Sequence, residues 1–398
     1  MNVHVNDLLT DHLIAIRRDL HQHPELGYKE FRTAGIVAKE LTELGIPFLP
    51  EAAGTGTGVV ATLRKGEGPT IVLRADMDAL PIQERTALPF ASRTENRMHA
   101  CGHDVHTTML LGAAHLLKDR EFRGCIKLVF QPSEEGVYDD PERKSGGQRI
   151  VESGLLDDAA AALALHVHPM RPAGKIFFAK GEALACVNFF QIEVLGRSGH
   201  AGAAPELAID AILVAANVIQ NLQTIVSRNI PPMRPGVISV TMIEGGEKEN
   251  IIADRVVMKG TIRALDLSTY HTILRRIDEM LKGISLTFHA QISFSVIAEY
   301  PSVLNDAAVH TLLEEPLRTT FGKDNVIEEE PMMGGEDFAF FSRKMPSMFY
   351  FIGAQDTAKE TFFLHHPSVV INEGCIPLGA RFLAAGALRL LAGLTSGS

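Results

Sequence analysis

Ile71-Val72-Leu73-Arg74-Ala75-Asp76-Met77-Asp78 is the stretch that decides how this chain folds. It opens on an apolar run of the kind that parallel sheets bury on both faces. Two carboxylates, Asp76 and Asp78, follow at once. They stand beyond the C-terminal end of the strand, where open α/β sheets place their ligands. The plainer reading is an aspartate turn ahead of Pro81.

Two further apolar strands end the same way. Residues 126–130 lead into Gln131-Pro132-Ser133-Glu134-Glu135-Gly136, and residues 160–165 into His166-Val167-His168-Pro169. Parallel strands put their C-terminal ends along one sheet edge, so these groups are expected to converge. An idle charge after a buried strand is costly, which favours a task for the glutamates. Between the first two strands lies Met98-His99-Ala100-Cys101-Gly102-His103-Asp104-Val105-His106, in a chain with 16 His and 4 Cys. Gly102 permits a turn that aims Cys101 and His103 at one ion. A strong helix follows over 107–118, and its N-terminus favours a thiolate.

Outward from this core, helical spacing predicts helices over 11–20 and 30–44, with Gly45 closing the second. Residues 137–148 read as a polar loop. From 187 the rhythm changes. Strands over 188–195, 237–243, 256–264 and 286–296 alternate with helices over 205–228 and 268–282, a β-α-β-β-α-β order that is ferredoxin-like. Afterwards the α/β pattern resumes, with a solvated acidic patch at Glu328–Glu330 and a last apolar helix over 377–391. The expected fold is therefore α/β. Residues 1–186 and 298–398 form a catalytic domain on a mixed, mainly parallel sheet, and 187–297 form an inserted α+β domain.

A length of 398 residues fits two domains. The net charge of −10 and the lack of a basic patch argue against nucleic acid. Cys101, Cys125, Cys186 and Cys375 show no pairing rhythm, which suits a reducing, cytoplasmic setting. Residues 1–12 do not read as a leader. The apolar run 159–165 is too short to span a membrane.

Cys101, His103, Glu135, His166 and His365 are the candidate metal ligands. Five mixed donors from distant parts of the chain exceed what one structural zinc needs. They favour two divalent ions with a shared bridging group. Zinc, manganese, cobalt and nickel all suit a set that mixes soft and hard donors. Such a pair activates water and polarises a carbonyl. Glu134, adjoining a ligand, is the natural group to move the proton. The chemistry suits amide hydrolysis. The glycine-rich Ala52–Gly58 stretch precedes a strand and reads as a turn, not a dinucleotide loop.

Arg74–Pro81, Met98–Asp104, Phe130–Gly136, Gly335-Glu336-Asp337-Phe338 and the opening His21-Gln22-His23-Pro24-Glu25-Leu26-Gly27 together resemble the amidohydrolase branch of the dinuclear metallopeptidase family. That branch includes hippurate hydrolases, N-acyl-amino-acid amidohydrolases and auxin–amino-acid conjugate hydrolases. The resemblance implies hydrolysis of N-acyl or N-aroyl amino acids and an inserted domain that serves as lid and dimerisation surface. It places the ligands on Cys101 (bridging), His103, Glu135, His166 and His365, and the base on Glu134. Asp76 would orient the site. His200 would polarise the scissile carbonyl from a partner subunit, implying a homodimer. Asn250 and Arg263 would bind substrate.

The chain departs from the pattern at Glu206, where the family usually has a histidine, and at Ile252 or Ala253, where it often has proline. These departures bear on the substrate. His366 and His168 are neighbouring alternatives to His365 and His166. Rival readings are a dipeptidase, a specialised aryl-amide or deaminating hydrolase, and a non-enzymatic binding protein.

Overall fold

A computed structural model describes residues 5–136 and 140–396. The chain opens with helices α1 (Asp7–Gln22) and α2 (Phe31–Glu43), then strands β1 (Phe48–Leu49), β2 (Val59–Lys65) and β3 (Thr70–Asp76). Next come α3 (His103–Lys118), β4 (Gly124–Gln131), α4 (Gly146–Glu152), β5 (Ala159–Pro172), β6 (Ile176–Phe178) and β7 (Gly181–Leu184). The middle of the chain holds β8 (Cys186–Leu195), β9 (Gly199–His200), α5 (Ala211–Asn229), β10 (Gly236–Gly245), β11 (Ile251–Ile252), β12 (Arg255–Ala264), α6 (Leu267–Phe288) and β13 (Gln291–Tyr300). It closes with β14 (Val303–Asn305), α7 (Ala307–Phe321), β15 (Val326–Glu328), α8 (Phe338–Lys344), β16 (Ser347–Gln355) and α9 (Cys375–Ser396).

The chain divides into two compact units. One takes the chain up to Ala183, then Leu304–Glu330 and everything from Asp337; the other takes Leu184–Val303 with Pro331–Glu336. In the first, one mixed sheet runs β1-β2-β4-β3-β5-β16-β6-β15. Its centre is parallel: β3 pairs in parallel with β4 and β5, and β16 with β5. All seven residues of β3 are buried, as its apolar run demands. Leu13 and Leu20 of α1, Met109 and Leu110 of α3, and Phe382 and Leu383 of α9 join Ile71, Leu73 and Leu163 in one core. By length and composition α9 is apolar enough to cross a membrane, yet most of it is buried in this core.

The second unit has the order β8-α5-β10-β12-α6-β13 around a sheet β10-β12-β8-β13, which is antiparallel throughout. This is the ferredoxin-like arrangement. Val214, Val218 and Leu222 of α5 and Ile273 and Ile277 of α6 bury against Phe190, Ile192 and Val194 of β8.

Several local expectations are corrected. The helix read from 205 begins at Ala211. Asp210 caps it by accepting from Ile212 N (2.9 Å) and Leu213 N (3.1 Å), while Pro205–Leu207 form a separate 3-10 turn. The strand read from 286 begins at Gln291, because the buried face of α6 continues through Leu281 and Ile284 to a left-handed cap at His289. Glu328–Glu330 are not simply solvated. Glu328 ends β15 and pairs with Lys180 (2.7 Å), and Glu329 pairs with Arg171 (2.7 Å). Of the loop 137–148, residues Val137, Tyr138 and Asp139 lie outside the described residues. The rest turns on Asp140 and enters α4 with Ser145 as its cap.

Candidate metal centre

The parallel centre of the first sheet brings three strand ends together, as the sequence pattern implies. Asp76 ends β3, Glu134 and Glu135 follow β4, and His166 lies within β5 opposite Phe351 of β16. Gly102 turns the chain with φ 88°, so α3 starts at His103 and carries it inward.

Overlapping groups of donors result, two of them through Cys101. Cys101, His103 and His166 form one; Cys101, Glu135 and His365 form the other, each within a 4.8 Å span. They share Cys101. Its Sγ lies 3.4 Å from His166 Nε2, and His365 Nε2 lies 3.1 Å from Glu135 Oε1. His103, Glu134 and Glu135 make a further such group. One buried polar atom in this cluster, His103 Nε2, has no hydrogen-bond partner among the described residues. A buried group of this kind is normally satisfied, so it marks a place for a cation. Burial, followed by the nearby Glu135 carboxylate, pushes the Cys101 thiol well above its ordinary range. A bound cation is what would make it a thiolate. The residues therefore fit divalent metal ions at this cluster.

The supports reach back from these donors. His103 Nδ1 lies 3.1 Å from Asp78 Oδ1, while Asp78 Oδ2 accepts from Glu135 N at 3.0 Å. One buried carboxylate thus orients two candidate ligands, leaving His103 Nε2 facing the cluster. Asp76 takes His106 Nδ1 (2.6 Å) and Arg74 Nη1 (2.7 Å). Burial alone would raise its carboxyl, but His103, His106 and Arg74 hold it well below its ordinary value. Asp337 accepts from Arg74 Nη2 (2.8 Å), Gln131 Nε2 (2.9 Å) and Gly147 N (2.9 Å), and its own N–H reaches Glu134 Oε1 at 3.3 Å. Glu134 is thereby held beside the cluster.

Behind His103, Asp104 binds Arg17 Nε (2.9 Å) and His21 Nδ1 (2.8 Å), locking the start of α3 onto α1. Burial would raise the Asp104 carboxyl, and Arg17 and His21 outweigh it, so it stays ionised. The sequence pattern marks Asp78 only as one of a carboxylate pair and gives no role to His106 or Asp104. The Asp76/Asp78 pair was the signal available for the first of these.

The neighbouring histidines behave differently. His366 stacks on Phe362 with ring centres 4.0 Å apart, and its Nδ1 accepts from Ser368 N. His168 Nδ1 accepts from Met170 N, and burial lowers its pKa to about 4.

The remaining predicted residues belong to the second unit. His200 is exposed on β9, paired with Ile251 of β11, and Asn250 O accepts from Ala201 N at 3.1 Å. That ribbon brings His200 and Asn250 together. Arg263 sits on the main sheet of this unit, over the Phe189 ring at 5.9 Å.

Comparison with known proteins agrees with this architecture. The model of peptidase family M20/M25/M40 matches residues 72–389. The chain is 38% identical to IAA-amino acid hydrolase ILR1-like 4 of Arabidopsis thaliana over 96% of this chain and 86% of that protein. It is 39% identical to N-acetyl-L-cysteine deacetylase of Bacillus subtilis (strain 168), over 96% of this chain and 89% of that one. The crystal structure of the Bacillus subtilis YXEP protein, a dinuclear metal binding peptidase from the M20 family, superposes with a TM-score of 0.83 at 32% identity, covering 97% and 99% of the two chains. The chain belongs to peptidase family M20/M25/M40. It is a metal-dependent amidohydrolase with an α/β catalytic domain and a smaller, inserted α+β domain.

Proposed function

We propose that the chain hydrolyses the amide bond of N-acyl or N-aroyl amino acids, releasing a carboxylic acid and a free amino acid. The observation that carries this reading is Glu134, fixed by the Asp337 N–H at the edge of two donor groups that share Cys101. Cys101, His103, Glu135, His166 and His365 would hold two divalent ions, zinc, manganese, cobalt or nickel, which when bound would polarise the amide carbonyl and lower the pKa of water. Glu134 takes the proton from the attacking water and returns it to the leaving nitrogen. Asp76 keeps this side of the site rigid through His106 and Arg74.

Residues 1–186 and 298–398 act as the catalytic domain, and 187–297 as an inserted lid and dimerisation domain. His200 on that lid steadies the developing oxyanion. Asn250 and Arg263 hold the substrate, and the working form is a cytoplasmic homodimer. The similarity to an IAA-amino acid hydrolase and an N-acetyl-L-cysteine deacetylase supports an acylated amino acid as the substrate class.

The test is a substrate panel given to metal-stripped protein with Mn²⁺, Zn²⁺, Co²⁺ or Ni²⁺ added back. Benzoyl-, acetyl- and indoleacetyl-amino acids stand beside dipeptides. Metal-dependent release of amino acid from the acylated set is expected. Turnover of dipeptides alone would replace this reading with a dipeptidase.

A further inference from the structure

Away from the candidate centre, α1, α2 and α3 each contribute one metal-binding side chain to a single point. His12 Nε2 of α1 lies 2.9 Å from Glu40 Oε2 of α2, and His115 Nε2 of α3 lies 3.6 Å from the same oxygen. All three donor atoms fall within a 4.8 Å span. We propose that His12, Glu40 and His115 form an additional binding site for a zinc-class divalent cation. This site is independent of the amide-cleaving reading.

Three features support it. Glu40 is 6% exposed at its side chain, and its ion-pair partners among the described residues are these two imidazoles. A buried carboxylate needs positive charge beside it, and a cation supplies that more fully than neutral rings. His115 Nε2 is a buried atom without a hydrogen-bond partner, aimed at Glu40 across a gap too long for one. Burial lowers the pKa of His115, favouring the neutral ring that ligates metals.

The spacing also fits. Donors about 2 Å from a tetrahedral zinc sit about 3.3 Å from one another. The two measured edges, 2.9 and 3.6 Å, lie on either side of that value. His12 is 43% exposed, which leaves a fourth position open to water. Two imidazoles and one carboxylate suit zinc, cobalt or nickel better than calcium or magnesium. A cation there would staple the three helices together, at the far end of α3 from His103.

The full-length wild-type protein and His12→Ala are dialysed against the same buffered free Zn²⁺, and bound zinc per chain and melting midpoint are measured. His12 is half exposed, so its loss does not threaten the fold. The wild type is expected to hold one equivalent more than the variant and to gain more in midpoint from zinc, with equal amide hydrolysis in both. A His115→Gln protein should lose the same equivalent. Equal zinc content and equal midpoint gain in wild type and His12→Ala would overturn the proposal.

Discussion

Ser133 holds a φ of 47°, a left-handed conformation uncommon for residues with a side chain. Three contacts keep it there. Glu30 Oε1 accepts its N–H at 2.9 Å, its hydroxyl reaches Gly136 O at 2.5 Å, and its carbonyl accepts from Gly146 N at 3.0 Å. A Cβ on Gly27 would stand 2.6 Å from Ser133 Oγ, so the opening His-Pro-Glu-Leu-Gly segment must pass without a side chain. The turn thus presents Glu134 and Glu135 in succession toward the donors. Glu134→Gln keeps the shape and removes the base. It is expected to lower kcat by about 10²- to 10⁴-fold while binding as much metal as the wild type, checked by turnover and metal analysis on one preparation. Asp140 offers a pH test. Burial would raise its carboxyl, but Arg149 and the N–H groups of Lys144 and Glu142 hold it below its ordinary value. A depressed folded pKa gives stability that is present above the unfolded pKa and lost as pH falls through the folded one. Asp140→Asn should therefore melt below the wild type at pH 7, and the gap should close as the pH drops below about 4. Glu135 and His166 could be proposed as donors from the sequence because they stand at or after apolar runs, and Cys101 and His103 because they flank Gly102, whereas His365, on a loop, carries no such signal. The bond from Asp78 to His103 could not be read there, since it joins residues 25 apart through the docking of α3 on β3.

Among elements, a close fit lies where α1, α3 and α9 meet. A Cβ on Gly112 would come 2.6 Å from Ala380 Cβ and 2.8 Å from Leu13 Cδ1. Leu13 has rotamers to give, but the methyl of Ala380 can move only with its helix. Gly112→Ala should cost about 1–3 kcal/mol by overpacking, despite the better helix propensity of alanine, and would show as an earlier urea midpoint. The central strands were legible because their apolar runs are continuous. The short strands β6 and β15 were not, because three residues carry no period to read. Helix ends were misjudged where a tertiary feature sets them. Asp210 rather than Pro205 starts α5, and the apolar face of α6 runs on through residues that also suit a strand.

At the scale of the whole molecule, β10 forms one edge of the second unit's sheet and exposes Met242 (63%) and Ile243 (56%). An open apolar edge strand invites pairing with another copy. Under the proposed homodimer with this edge as its interface, Met242→Glu with Ile243→Glu should give a monomer in light scattering where the wild type is a dimer. It should also cut amide hydrolysis if His200 serves a partner's site. An unchanged dimer would move the interface elsewhere. The two-unit plan was readable from the change in rhythm near residue 187.

The strand order β5-β16-β6 has a consequence for how the protein is made. Strands β5 and β6 are near neighbours in sequence, yet β16 lies between them and arrives about 170 residues later. A growing chain on the ribosome cannot close its main sheet until that strand has emerged. The second unit, encoded in between, has all its own strands available earlier. Long-range pairing of this kind is slow and leaves strand edges open meanwhile. Nascent chains halted before Ser347 should accordingly bind chaperones strongly, while already containing every strand of the second unit's main sheet.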